Sequence, residues 1–274
     1  MRAPAIRTAL SRLIYGLHPD RPEIGSELLQ VKDNAPFSTY SSGQTLRIVS
    51  WNTYKGNRPE YRDNLLKQIS NADLILLQEF RQSQAFDSFH QQIFETSNAL
   101  LAVSYYTMRM RISPTGVCTV ATAKSLQSIV VTSRSLEPLT RTPKMALCTW
   151  YPLNNSQNIL RALLVMNCHG INFRLRRSFR DQVSQLREQL LEHTGPIIFV
   201  GDFNTWETGR EKILDTMAEE LHLTRVNFPK GIKHVGGHQL DRVYIRGGST
   251  QNVSVIVNTR ASDHALLSFE FTIA

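Results

Sequence analysis

An α/β fold of two packed sheets covered by helices is the architecture this sequence predicts. Three observations carry the prediction. Over residues 45–274, short runs rich in Ile, Val, Leu and aromatics recur at brief intervals, as buried pleated surface requires. Between them lie stretches whose apolar residues repeat at helical spacing. The strands outnumber the helices and do not alternate with them one for one, which excludes a barrel of regular βα units.

The first 44 residues form an extension of different texture, followed by the main domain over 45–274. Ile6, Leu10, Leu13, Ile14 and Leu17 fall at helical spacing among Arg2, Arg7 and Arg12. Such a basic amphipathic helix packs on its own domain or lies on a membrane surface. It is too short and interrupted for a secretory signal. Pro, Ser, Asp and Asn punctuation over 18–43 predicts an irregular lead-in.

The main domain opens with a strand at 46–51. A helix introduced by Pro59 follows, with Tyr61, Leu65, Leu66 and Ile69 as its inner face. A strand at 73–78 leads to a second helix marked by Phe86, Phe89, Ile93 and Phe94. The segment 100–106 reads as a core strand or as an apolar contact with a membrane. Strands at 116–121, 128–132, 145–151 and 159–168 precede a third helix carrying Phe179, Val183, Leu186 and Leu190. After a strand at 197–201, Thr208 is positioned to cap a fourth helix, with Ile213, Leu214, Met217 and Leu221 inside. Strands at 240–245, 253–257 and 265–271 complete the chain, which has no internal repeat.

Composition narrows the function. Of 274 residues, 41% are hydrophobic and 20% charged, which rules out collagen-like, low-complexity and wholly disordered chains. Nothing approaches the roughly 18 consecutive apolar residues of a membrane-spanning helix. Cys118, Cys148 and Cys168 each sit in an apolar strand-like run and read as buried reduced thiols, which suits a cytoplasmic monomer. The net charge of +8 favours anionic partners, whether nucleic acid, phosphorylated small molecules or an acidic lipid surface.

Apolar runs repeatedly stop on a group able to hold a metal or move a proton. Asn52, Glu79, His169 and Asp202 each follow such a run, Asn204 comes two residues after Asp202, Asp241 interrupts another, and Asp263-His264 opens the last strand. Singly, each has an ordinary reading as a turn or strand-end residue. Together they suit a shared rim at the ends of rigid elements. Oxygen donors without a thiolate or paired-histidine signature favour Mg2+ or Mn2+ over zinc. Arg174, Arg176, Arg177 and Arg180 follow His169. Guanidinium groups suit phosphate contacts, but a solvated helix face uses the same residues, and both readings stand.

Trp51-Asn52, Leu77-Gln78-Glu79, Asn167-Cys168-His169, Gly201-Asp202-Phe203-Asn204, Leu240-Asp241 and Ser262-Asp263-His264 resemble the successive signatures of the endonuclease/exonuclease/phosphatase superfamily. The resemblance, to a compact member, covers nearly all of 45–274. It implies a four-layer αββα sandwich of two mixed, mainly antiparallel sheets, the DNase I-like fold. It further implies a Mg2+-dependent or Mn2+-dependent phosphoesterase, with Glu79 as main metal ligand and Asn52 and Asp263 beside it. Asp202 would orient or deprotonate the attacking water, and Asn204 would hold a phosphoryl oxygen. His264 paired with Asp241 would act as an imidazolium, and His169 would donate to the transition state.

Nucleic acid is the leading substrate expectation. A phospholipid or small phosphoester is the alternative, and a non-catalytic binding module is the third. The family's middle-region Tyr or Arg that contacts phosphate has Tyr105, Tyr106, Arg109 and Arg111 as candidates here.

Overall fold

The computed structural model describes residues 23–82, 84–107, 113–138 and 140–274. The helix expected over 2–17 and the candidates Arg109 and Arg111 lie outside those residues, as does the Phe86 side chain. In chain order the elements are β1 (Glu23–Ile24), β2 (Leu28–Asp33), β3 (Thr45–Asn52), α1 (Tyr61–Ile69), β4 (Leu74–Arg81), α2 (Gln84–Ile93), β5 (Asn98–Thr107), β6 (Ser113–Ala121), β7 (Gln127–Leu136), β8 (Pro143–Tyr151), β9 (Leu163–His169), α3 (Arg176–Leu190), β10 (Ile197–Asp202), α4 (Thr208–Glu220), β11 (Thr224–Arg225), β12 (His234–Val235), β13 (His238–Gln239), β14 (Asp241–Arg246), β15 (Gly248–Ile256) and β16 (Leu266–Ile273). One sheet has eight strands, with β2 pairing β5 beside the path β1-β5-β6-β4-β3-β16-β15. A second large sheet has six, in the order β11-β14-β10-β9-β8-β7, and β12 pairs with β13 in a separate two-stranded sheet.

Alternation along each strand decides the layers, because successive side chains point to opposite faces. Leu46 and Ile48 of β3 and Leu74 and Leu76 of β4 pack against Leu163, Val165, Ile198 and Val200 between the sheets. Val49, Trp51, Ile75 and Leu77 face the other way, onto Tyr61, Leu65 and Ile69 of α1. On the far side, Leu164 and Met166 of β9 meet Phe179, Val183, Leu186 and Leu190 of α3 and Leu214 and Met217 of α4. Both faces of the central strands are therefore buried, which is why they read as continuous apolar runs. The result is helix, sheet, sheet, helix, as the sequence implied.

Most strand pairs are antiparallel, but β3 with β4 and β9 with β10 are parallel. A parallel neighbour needs a crossover, supplied by α1 in the first case and α3 in the second. Each crossover returns the chain so that two strands end at the same edge. Asn52 is in register with Gln78, and Asp202 with both His169 and Asp241.

Several local expectations need correction. The strand expected over 159–168 begins only at Leu163. Before it, Ile159–Arg161 form a 3-10 turn capped by Asn158, which accepts a hydrogen bond from the Leu160 N–H at 3.0 Å. The supposedly irregular lead-in contains β2, which pairs with β5. As an edge strand it buries only Val31, so it lacks the apolar run that marks a central strand. The 100–106 segment is core strand, with Leu101 and Val103 fully buried. Leu66 is exposed, since α1 turns Asn64 inward in its place. Thr208 begins α4 without capping it. The three cysteines are free and buried. Among the described residues no helix is long and apolar enough to cross a membrane.

Candidate active site

The two parallel pairs bring their polar strand ends to one cleft of about 730 Å³. Gly201 makes the close approach of β9 and β10 achievable, because any Cβ there would collide with the Cys168 carbonyl. Asp202 then lies at the centre of a buried network. Its Oδ2 accepts from Asn52 Nδ2 at 3.0 Å, and its Oδ1 accepts from the Asn204 N–H at 3.0 Å. The ring Nε2 atoms of His169 and His264 each lie 3.6 Å from Asp202 Oδ2. Trp51 Nε1 donates to the His264 carbonyl at 3.1 Å, and Ser262 Oγ to the Asn52 carbonyl at 2.7 Å, fastening the last loop to β3.

The two histidines are in opposite electrostatic states. Burial opposes charging of His264, but Asp241, 2.9 Å from its Nδ1, and Asp202 outweigh it and raise its pKa to about 9. The ring is an imidazolium at neutral pH. For His169, burial and the Lys144 ammonium outweigh the neighbouring carboxylates and lower its pKa to about 3. That ring is neutral, and its Nε2, 2.9 Å from Lys144 Nζ, accepts a hydrogen bond from the lysine.

Glu79 reaches the cleft through a register shift between Leu77 and Phe80 in the β4–β6 ladder, where its backbone is left-handed at φ 51°. Burial would raise its pKa, yet the Lys144 and Lys55 ammonium groups hold it below the usual carboxylate range. Its Oε2 lies 2.7 Å from Lys55 Nζ. Asp263, more exposed, pairs with Lys233 at 2.6 Å.

Oxygen donors in and behind the cleft bear on whether it could hold a cation. Asp202, Asp241 and His264 place ligand atoms within 4.8 Å of one another. An imidazolium already bonded to Asp241 has no lone pair to offer at that nitrogen, so this group fits poorly. Glu79, Asn52 and Asp263 all line the cleft and carry oxygen donors, the donor type a hard divalent ion takes.

Seven of the eight strand-end residues line the cleft, and Asp241 stands buried behind His264. The arginines do not join them. Arg174 donates to the Leu136 carbonyl, Arg176 pairs with Glu207 at 3.1 Å, and Arg176 and Arg180 line a separate groove between α3 and α4. Arg177 is exposed on the same helix. Nearness to His169 along the chain did not place them near it in space, because α3 leads away from the cleft. Tyr105 lines the cleft, whereas Tyr106 turns to Glu27. The sequence reading missed Lys55, Lys144 and Lys233, and the aromatic residues Tyr54, Phe173 and Trp206 on the cleft wall. Lone lysines and aromatics carry no spacing signal that would have marked them.

The sequence model of the Endonuclease/Exonuclease/phosphatase family matches residues 49–264. The UPF0294 protein of Klebsiella pneumoniae (strain 342) is 36% identical over 234 residues, covering 85% of this chain and 84% of that protein. Among solved structures, an endonuclease/exonuclease/phosphatase family protein from Leptotrichia buccalis superposes with a TM-score of 0.62 at 17% identity, over 84% of this chain and 99% of its own. The endonuclease domain of TRAS1, a telomere-specific non-LTR retrotransposon, does so with a TM-score of 0.54 at 13% identity, over 84% and 99%. At such identities the structures show a shared fold. With the family match spanning the strands and the cleft alike, the chain belongs to the endonuclease/exonuclease/phosphatase family, whose members are in general hydrolases of phosphate esters.

Proposed function

We propose that the protein is a divalent-metal-dependent phosphodiesterase acting on nucleic acid, by in-line attack of an activated water. The observation that carries this reading is the grouping of Asp202 between His169 and the Asp241-paired His264, with Glu79 on the wall of the same cleft. Glu79, with Asn52 and Asp263, would hold Mg2+ or Mn2+, and the ion would supply positive charge to the phosphoryl oxygens. Asp202, fixed by Asn52 and by the Asn204 N–H, keeps a lone pair free to orient or deprotonate the water. The His264 imidazolium donates to the phosphoryl group, its charge held by Asp241. Asn204 Nδ2 uses one hydrogen on the Gly170 carbonyl at 2.9 Å and retains a second for a phosphoryl oxygen.

A polyanionic substrate is supported by the net charge of +8 and by Lys55, Lys144 and Lys233 on the cleft wall. The likeness to a retrotransposon endonuclease domain points the same way.

A hydrolysis panel tests the reading. It comprises single- and double-stranded DNA, RNA, sphingomyelin, phosphoinositides and a generic phosphodiester, with Mg2+ or Mn2+ and with chelator, and His264→Ala as blank. The expected result is metal-dependent cleavage of nucleic acid that weakens steeply with salt. Cleavage of lipid vesicles alone would overturn the nucleic-acid assignment. Metal binding without hydrolysis of any phosphoester would overturn the catalytic one.

A further inference from the structure

Tyr54 and Phe173 line the cleft as residues 37% and 70% exposed, and neither belongs to a core cluster. They follow strand ends of different sheets, Tyr54 after β3 and Phe173 after β9. Both have left-handed backbones, at φ 49° and 41°, a region that bulky side chains enter only at a cost. The cleft concentrates such strain: Lys55, Glu79 and Asn204, also left-handed, line it too.

Each ring is held out by a built anchor. The Tyr54 N–H donates to Asn52 Oδ1 at 3.1 Å, while the same side chain holds Asp202. The Phe173 N–H donates to Asn172 Oδ1 at 2.9 Å, an atom that also accepts from Trp206 Nε1 at 3.0 Å. Beneath this loop the buried Arg210 donates to the carbonyls of Ile171 and Arg174, on both sides of Phe173, at 2.6 Å each. A scattered exposed ring needs no explanation. Two rings fixed outward by strained, anchored backbone at one catalytic cleft do.

Charge accompanies them. Lys55 Nζ, which also pairs with Glu79, and Arg58 Cζ lie over the Tyr54 ring at 5.6 Å and 5.3 Å from its centroid, so cations are held against the aromatic ring. Aromatic faces interleaved with cations form the platform on which unpaired bases stack while their phosphates are neutralised. A duplex hides its base faces and cannot use it. A lipid-inserting patch has no need of cations against the ring. Resting on the phosphodiesterase reading, we infer that Tyr54 and Phe173 stack unpaired nucleobases flanking the phosphate in the cleft. The substrate is single-stranded nucleic acid, bound without strong sequence preference because every base has a π-face.

The test measures hydrolysis and binding of three probes: a single-stranded oligodeoxynucleotide, its duplex, and a base-free oligomer of the same phosphate count. Binding is read by fluorescence anisotropy on the His264→Ala background, so that it does not depend on turnover. The expected result is that wild type favours the base-bearing single strand. In Tyr54→Ala and Phe173→Ala that preference over the base-free oligomer falls by on the order of tenfold. Tyr54→Phe and Phe173→Tyr should restore it, which excludes misfolding as the cause. Equal affinity for base-bearing and base-free oligomers in wild type, or preference for duplex, would overturn the inference while leaving the phosphodiesterase reading intact. Tighter association with anionic phosphatidylglycerol vesicles than with any oligomer, abolished by the same alanine variants, would assign the rings to a membrane instead. Absence of hydrolysis of every diester, with base-dependent binding retained, would sink the catalytic reading and keep the stacking site.

Discussion

Asp202 and His264 are buried, yet both are committed to partners that leave one edge toward the cleft, and this division of labour makes their roles testable singly. Asp202→Asn removes the carboxylate charge while keeping the Asn52 contact sterically feasible, and His264→Ala removes the imidazolium. Each should lower turnover by about a hundredfold or more with an unchanged circular dichroism spectrum. Activity within tenfold of wild type would show that the roles are wrongly assigned. The His264–Asp241 pair also makes a stability prediction. Its folded pKa of about 9 lies above the ordinary histidine value of 6.5. The paired imidazolium therefore stabilises the fold in full below pH 6.5 and loses that contribution as pH rises through about 9. Thermal melts of the metal-free protein should show wild type losing its advantage over Asp241→Asn across that window. Parallel pH profiles for the two proteins would contradict it.

Between residue and molecule stand the paired strand ends. The β9–β10 pair places His169 opposite Asp202, and it closes only because position 201 has no side chain. Gly201→Ala should destabilise by about 1–3 kcal/mol, the usual penalty of overpacking, measured by urea denaturation. It should also depress activity beyond the loss of folded protein, because β10 must shift and carry Asp202 away from both histidines. Full activity in the folded fraction would mean that the strands separate elsewhere. The bulge in β4 plays the complementary part, since without its extra residue Glu79 would follow the regular alternation and leave the cleft.

Across the whole molecule, the two sheets are tied by more than apolar packing. Gln78 Nε2 donates to Asn167 Oδ1 at 2.7 Å, and Asn167 Nδ2 donates to the Cys118 carbonyl at 2.9 Å, so a buried polar bridge crosses the sandwich just behind the site. Two signature residues beside Glu79 and His169 are thereby structural. Asn167→Ala takes the nearest partner from the Gln78 amide, leaving it the Leu76 carbonyl at 3.2 Å, removes the donor to the Cys118 carbonyl, and should cost about 1–3 kcal/mol of stability. Differential scanning calorimetry should show a lowered midpoint with one transition, since the sheets unfold together. An unchanged midpoint would remove the bridge from any account of how the sheets keep their alignment.

Much of this protein is legible in one dimension. Strand ends such as Asn52, Asp202 and Asp263-His264 announce themselves because a polar group closing an apolar run is a local pattern, and local patterns need no folding to be seen. The strand at β2 was not legible, since an edge strand buries too little to imprint a period. Lys55, Lys144 and Lys233 were invisible for a related reason: each comes from a different element and is joined to Glu79, His169 or Asp263 by distance alone. The arginines after His169 show the opposite case, near it in sequence, with Arg176 and Arg180 turned to a separate groove in space. By itself the sequence determined the layers, the order of the elements and the inventory of reactive groups, all set by periodicity and motif. Which histidine is charged, which lysine guards which carboxylate, and which aromatic rings stand open to solvent were decided only by tertiary structure. Those properties depend on dielectric, register and distance between groups far apart in the chain.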